Sequence, residues 1–294
     1  MKYNNNISAA YLFLTPALLA IFIFFLIPVF AALLMSFTNF DIYSLGHISY
    51  ARFVGLSNYI EIFKDPLFWQ SLINTFYFVI AGGPLSIAVS LGAALLLSSK
   101  LVKFKGIFRL VYFMPVVTTL VAVSILWRFI YQPRFGILNY LLGFIGIHPI
   151  DWLGNPHWAM PAIILMAIWK NFGYNMIIFI AGLQNIPEDL YEAANIEGAS
   201  EWNKFKNITL PMLAPTTLFV SIITIIGYFQ LFAEPYVMTQ GGPLNSTLSI
   251  VLYMYREGFR WWNMGYSAAI AFILFFIILV ISLIQLKVQR ETAI

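Results

Sequence analysis

The sequence predicts an all-α, polytopic membrane protein with six transmembrane helices and both termini in the cytoplasm. Two observations carry that prediction. Only 10% of the 294 residues are charged and 61% are hydrophobic, for a mean hydropathy of +0.84, whereas a soluble domain uses about 25% charged residues to cover its core. The charges it does have divide the chain into uncharged runs of membrane length. A net charge of +4 would suit nucleic acid only with a basic arm or face to carry it, and none is present. The absence of cysteine excludes disulfides, thiol catalysis and thiolate metal ligands. His47, His148 and His157 fall outside the apolar runs and form no i, i+4 pair, so no metal site is predicted.

Taken in order, uncharged runs of 38, 34 and 18 residues lie between Lys2 and Asp41, Asp65 and Lys100, and Arg109 and Arg128. Runs of 27 and 26 residues lie between Lys206 and Glu234 and between Arg260 and Lys287. A hydrocarbon core about 30 Å thick needs ~20 helical residues, so each run holds one helix. A sixth span, near Ala159 to Leu183, is interrupted by one charge, Lys170. The runs lack the period-2 alternation of a barrel, and backbone in lipid must satisfy its own hydrogen bonds, so the spans are helices. They are placed at about 10–37, 70–98, 108–130, 159–183, 212–233 and 264–287, within one domain covering 1–294. The first run is too long for a signal-peptide core and is read as retained. Pro16, Pro28, Gly82-Gly83-Pro84 and Pro115 fall inside spans, where a bundle tolerates them.

Lysine and arginine placement orients the chain. The short loop after the second span holds Lys100, Lys103, Lys105 and Arg109. With Lys2, Lys204, Lys206, Lys287 and Arg290 these put nine basic residues on one side, against six spread over longer loops on the other. The nine-residue side is the cytoplasm.

The cytoplasmic loop 184–211 departs from its surroundings. It carries five of the twelve acidic residues, Glu188, Asp189, Glu192, Glu197 and Glu201. Pro187-Glu188-Asp189 suits a helix start, since proline is pre-set for the first turn and early carboxylates complement the dipole. Gly198 ends that helix, Ser200 caps a second, and Pro211 begins the fifth span. Two short helices hinged at glycine are compatible with a plain interfacial connector or with a docking element whose small Ala193-Ala194 face admits a partner.

Inside the spans Lys170 stands out, about ten residues into its run and so ~15 Å deep. A buried charge there costs roughly 2.5–3.5 kcal/mol and usually faces a bundle interior or a pathway; snorkelling is the rival account, but the surface is beyond a lysine's reach. Asn171 and Tyr174 follow it, Tyr174 on the same helix face, and Asn175 is adjacent. There is no Gly-x-x-x-x-Gly-Lys-Ser/Thr phosphate cradle, so this chain is not an ATPase.

The spacing Glu192-Ala193-Ala194, Gly198, Ile208, Leu210, Pro211 resembles the EAA loop of the permeases of binding-protein-dependent ABC importers, with every motif position filled. FLTPALL, SFTNFD, FVGLSNY, FGILN at Phe135–Asn139, EPYVMTQGGPLNST at Glu234–Thr247 and GYSAAIAF at Gly265–Phe272 resemble the carbohydrate branch of that family. The closest likeness is to the first permease subunit of maltose, lactose and glycerol-3-phosphate systems, without the large extra domain of the maltose permease. The resemblance implies that Glu192, Ala193, Ala194, Gly198, Ile208, Leu210 and Pro211 couple to an ATPase. It further implies that Lys170, Asn171, Tyr174, Tyr228 and Leu231 occupy sugar-contacting positions. Leu231 departs from the polar residue expected there, which makes Gln230 and Glu234 the local polar candidates. Helix-to-helix glue is the alternative role for each polar residue.

The implied partners are a second, homologous permease, two cytosolic ATPases that bind ATP and magnesium, an extracytoplasmic solute-binding protein and membrane lipid. The implied site is a bacterial or archaeal cell membrane, and the implied cargo is a di- or oligosaccharide, with glycerol-3-phosphate or an acidic sugar as the alternative. A self-contained secondary transporter would need ion-binding acids at mid-depth, and none is evident within the runs. No nucleophile–base pair for a membrane enzyme can be assembled.

Overall fold

The computed structural model describes residues 4–99 and 102–292. Lys2 and Lys100, and the side chain of Arg290, lie outside what it describes. The first span, α1 (Ala10–Ser36), presents no buried residue in its most apolar stretch, which suits a helix bathed in lipid. Its middle, Phe22–Leu26, is a π-helical turn in which the Ile27 N–H donates to the Phe22 carbonyl. Pro28 follows, and the one-residue register shift accommodates its missing N–H.

The second span is α2 (Pro66–Ser98), a 33-residue helix running through Gly82-Gly83-Pro84 without a break. The third is not the continuous helix expected over 108–130. It consists of α3 (Lys105–Val117) and α4 (Leu120–Ile130), set 101° apart. Pro115 denies the last turn of α3 one donor, and the β-branched residues Val116 to Thr119 follow. Thr118 and Thr119 then take extended backbone, with ψ of 142° and 138°. This was also the shortest uncharged run.

The fourth span, α5 (Pro156–Gln184), begins with Pro156 in the first turn and Asn155 as its cap, which accepts the His157 N–H at 2.9 Å. The segment between the fourth and fifth spans folds as α6 (Glu188–Ile196) and α7 (Glu201–Lys204). Pro211 does not open the fifth span as expected. It sits in a separate short turn, Leu210–Met212, and the span proper is α8 (Ala214–Phe229) followed after a break by α9 (Ala233–Met238). The last helix, α10 (Met264–Thr292), starts where the sixth span was placed. With α3 and α4 counted as one bent span, six segments among the described residues are long and apolar enough to cross a membrane.

Contacts divide the chain into two compact units. One holds the residues up to Asp65 together with Met254–Phe275. The motif words of the N-terminal region and the last span meet inside it. Asn58 donates to the carbonyls of Ser36 and Thr38 at 2.8 and 2.9 Å, Gly265 N–H donates to Phe40 at 2.9 Å, and the Tyr266 hydroxyl donates to Asp65 at 3.2 Å.

The other unit holds Pro66–Tyr253 and the stretch from Phe276 onward. Here α2 lies against α5 and α8, and α5 against α3. Ala94 and Leu97 of α2 meet Met176, Phe179 and Ile180 of α5 and Val220 of α8 in a buried cluster, each set at the i, i+3, i+4 spacing of one helix face. The loop after α9 is fastened to the start of α2: Asn74 donates to Asn245 and Leu248 carbonyls at 2.7 and 3.0 Å, and Ile250 N–H donates to the Thr75 hydroxyl at 2.9 Å. Asn139, the last residue of FGILN, organises its own loop. It donates to Ile150 at 2.8 Å and accepts from the Trp152 indole at 2.8 Å.

Candidate functional site

Both helix breaks in the second unit fall on one cavity. Its volume is about 420 Å³, and its walls come from α2, the α3–α4 bend, α5 and the α8–α9 break. Lys170, Asn171, Tyr174, Tyr228, Gln230, Leu231 and Glu234, the seven residues singled out in the sequence, all line it. Phe78, Val116, Leu120, Asn175 and Thr224 join them. The period of α5 explains part of the convergence. Lys170, Asn171, Tyr174 and Asn175 repeat at i, i+1, i+4 and i+5, which is one stripe of a helix.

Lys170 lies at the middle of the 29-residue α5. Its ammonium donates to the Val116 carbonyl at 3.4 Å. Val116 belongs to the last turn of α3, where the bend leaves carbonyls without helical partners and the dipole presents its negative end. The bent third span thus supplies an acceptor for a charge that a straight helix would leave unmatched. Asn175 is buried and donates to the Thr224 hydroxyl at 2.9 Å, so this part of the stripe joins α5 to α8 rather than pointing freely into the cavity.

At the other break, α8 ends at Phe229, and the freed Leu231 carbonyl accepts from the Ser249 hydroxyl at 2.5 Å. Ser249 is fully buried, and Arg128 of α4 donates to the Val237 carbonyl of α9 at 3.3 Å. These bonds give carbonyls on both sides of the break a side-chain donor. Glu234 is buried in the first turn of α9, where its carboxyl accepts backbone N–H groups. It lies near the end of the apolar segment Ala214–Met238, past the point at which the fifth span was expected to stop and away from its middle. Its position beyond the 27-residue uncharged run concealed this, because the helical segment continues past the break.

Tyr228 is buried, with its ring 4.8 Å from that of Phe78 and its hydroxyl toward Ser86 and Asn171 without a well-aligned hydrogen bond. Tyr174, by contrast, is exposed. The cavity therefore combines aromatic faces, amides, one cation and one carboxyl. That set suits a small polyhydroxylated molecule: ring faces pack against its C–H surfaces while amides and charged groups meet its hydroxyls.

The second candidate region is the loop between the fourth and fifth spans. No residue of α6 is buried. Glu192 and Ala193 are exposed, and so are Leu190, Ile196 and Trp202, an unusual set of apolar side chains on short polar helices. The helix closes in a Schellman arrangement, in which Ala199 N–H donates to Ala194 and Gly198 N–H to Asn195 at 2.9 and 3.1 Å. Gly198 supplies the required left-handed residue, with φ of +75°. Ser200 then caps α7, accepting the Asn203 N–H at 3.3 Å. Tyr191 and Thr209 share a hydrogen bond of 2.8 Å that ties α6 to the turn leading into α8. Ile208 is half-buried beside that tie, while Leu210 is exposed.

Three comparisons bear on what such a chain is similar to. Residues 86–293 match the family model described as the binding-protein-dependent transport system inner membrane component. The chain is 41% identical to the arabinooligosaccharides transport system permease protein AraP of Bacillus subtilis (strain 168), over 98% of its own length and 90% of that protein's. It is 38% identical to the lactose transport system permease protein LacF of Rhizobium radiobacter, over 96% of its length and 94% of that protein's. In fold it is similar to a chain in the crystal structure of a bacterial ABC transporter involved in the import of the acidic polysaccharide alginate. The TM-score is 0.85 at 22% identity, covering 98% of this chain and 96% of that one, a likeness of fold alone.

Proposed function

We infer that this chain, which belongs to the family of binding-protein-dependent transport system inner membrane components, is the membrane-spanning permease subunit of an ATP-driven sugar importer. The observation that carries the reading is the cavity between the two helix breaks, whose volume falls in the range of about 300–1,000 Å³ usual for small-molecule sites. Its aromatic, amide and charged lining fits a sugar, and the sugar permeases AraP and LacF are similar over nearly the whole chain. Lys170, Asn171, Tyr174, Tyr228, Gln230 and Glu234 contact the sugar in this reading, and Leu231 forms an apolar wall.

Energy enters from outside the chain. ATP and magnesium act on two cytosolic ATPases, which grip the exposed α6–α7 elbow through Glu192, Ala193, Ala194 and Gly198. The connectivity supports this coupling. Helix α5 enters the loop and α8 leaves it, and these two helices carry half of the residues that line the cavity. A displacement of the elbow reaches Tyr228 along the 16 residues of α8, ~24 Å at 1.5 Å per residue. Ile208, Leu210 and Pro211 form the link at its base. A second permease completes the pathway, a solute-binding protein delivers the sugar from outside, and both termini lie in the cytoplasm.

An acidic sugar or a glycerol phosphate is the second reading, and Lys170 is the observation in its favour. Glu234 on the same cavity weighs against it, since one cation and one carboxyl suit a neutral ligand better than an anion. Uptake by cells expressing the complete importer separates the two. Entry of radiolabelled lactose or an arabino-oligosaccharide, uncompeted by glycerol-3-phosphate or a uronate disaccharide, is the expected result. Uptake of the anions alone would reverse the assignment, and purification of the chain without ATPase or second permease would remove the importer reading.

A further inference from the structure

The cavity holds Tyr228 in an unusual way. Its ring lies against two consecutive turns of α2, with Phe78 on one side and Gly82 four residues further along the same face. Phe78 is almost fully buried and, like Tyr228, lines the cavity. At Gly82 the ring meets bare backbone: a Cβ there would stand 2.9 Å from Tyr228 Cε2, and 3.4 Å from both Tyr228 Cδ2 and Ile164 Cγ2. The first distance is 0.5 Å inside the 3.4 Å at which ordinary contact begins. Ile164 is buried too and closes the remaining side. A side chain at position 82 therefore presses first on the tyrosine ring, which is a wall of the cavity.

We propose that Phe78 and Gly82 form a cradle in α2 that positions Tyr228, and that the missing side chain at Gly82 sets the free width of the sugar cavity. The inference rests on the reading of this cavity as the sugar site. The Tyr228 ring is then held as a fixed part of the cavity wall, with its hydroxyl closed off toward Ser86 and Asn171. Gly82 is thus a positioning residue acting through Tyr228. Helix α2 runs through Gly82-Gly83-Pro84 without a break; Gly82 is there for approach of a ring.

The test is a double-mutant cycle of Gly82→Ala and Tyr228→Ala, read by uptake of radiolabelled lactose and an arabino-oligosaccharide in the complete importer, with membrane abundance measured in parallel. Gly82→Ala is expected to lower uptake about fivefold at unchanged abundance, the effect of roughly one strained or lost ligand contact as the ring narrows the cavity. In the Tyr228→Ala background it is expected to change uptake less than twofold, because the ring it collides with is gone. A second readout needs no sugar. The chain has no cysteine, so Gln230→Cys in the cavity wall provides a single site for N-ethylmaleimide. Gly82→Ala should slow its labelling at least threefold with Tyr228 present and leave it unchanged with Tyr228→Ala. Equal losses in both backgrounds, or unchanged labelling and uptake in the Gly82→Ala variant, overturn the proposal. Failure of the wild-type importer to transport any sugar would instead refute the sugar reading, and the labelling cycle would still decide the cradle.

Discussion

Replacing Gly173 by alanine should damage the site from behind. A Cβ on Gly173 would stand 2.0 Å from the Tyr112 carbonyl oxygen, 2.7 Å from its carbon and 3.2 Å from Phe113 Cα. These are backbone atoms of α3, so neither side has a rotamer to change. Restoring 3.4 Å to the oxygen requires 1.4 Å of separation between α3 and α5. Overpacking typically costs about 1–3 kcal/mol, and backbone against backbone belongs at the upper end. Alanine recovers about 1 kcal/mol through its helix propensity, leaving a net loss of about 2 kcal/mol. At roughly 2–4 °C per kcal/mol for a chain of this order of size, the melting temperature falls by about 5 °C. The same separation pulls the Val116 carbonyl from Lys170, one turn along each helix. The assay is thermal unfolding of the detergent-solubilised protein, followed by size exclusion, with uptake measured alongside. A melting temperature within 1 °C of wild type and undiminished uptake would refute the close packing of α3 on α5.

Three further outcomes follow from the geometry. Lys170→Met should lower both uptake and membrane abundance, because the buried Glu234 carboxyl loses the one cation on its cavity; Glu234→Gln added to it should restore abundance, and a double variant no more abundant than the single would show that the two charges are independent. Gly198→Asp should leave membrane insertion intact but lose sugar-stimulated ATP hydrolysis in the complete importer, and normal stimulation in that variant would remove the docking role of the α6–α7 elbow. Thr224→Val should destabilise by about 1–3 kcal/mol, since Asn175 is left buried without its acceptor; a melting temperature unchanged from wild type would mean that the pair contributes nothing to holding α5 on α8.

Much of the site was legible because it is carried by local patterns. Lys170 shows in the sequence as the one charge in an apolar run, and Tyr174 follows at helical spacing. Their shared face needs only the geometry of one helix. The elbow was legible for the same reason: proline, early carboxylates, Gly198 and Ser200 are capping signals whose hydrogen bonds span six residues or fewer. What escaped were features that join distant parts of the chain. The Lys170–Val116 bond crosses 54 positions and the Asn175–Thr224 bond 49. Ser249, which closes the break after α8, has no local signal beyond being a serine in a loop.

The sequence by itself determined that this protein lives in a membrane, roughly where it crosses, and which loop stands apart. Hydropathy and capping are sums over neighbouring residues, and a helix in lipid must satisfy its own backbone. Only the tertiary structure decided that the third span bends by 101°, that the fifth apolar segment runs past its break to Glu234, and that the two helix breaks face one another across one cavity. A proline makes a bend permissible, but whether the chain bends depends on what receives the freed carbonyls. Here the receiver is a lysine on another helix.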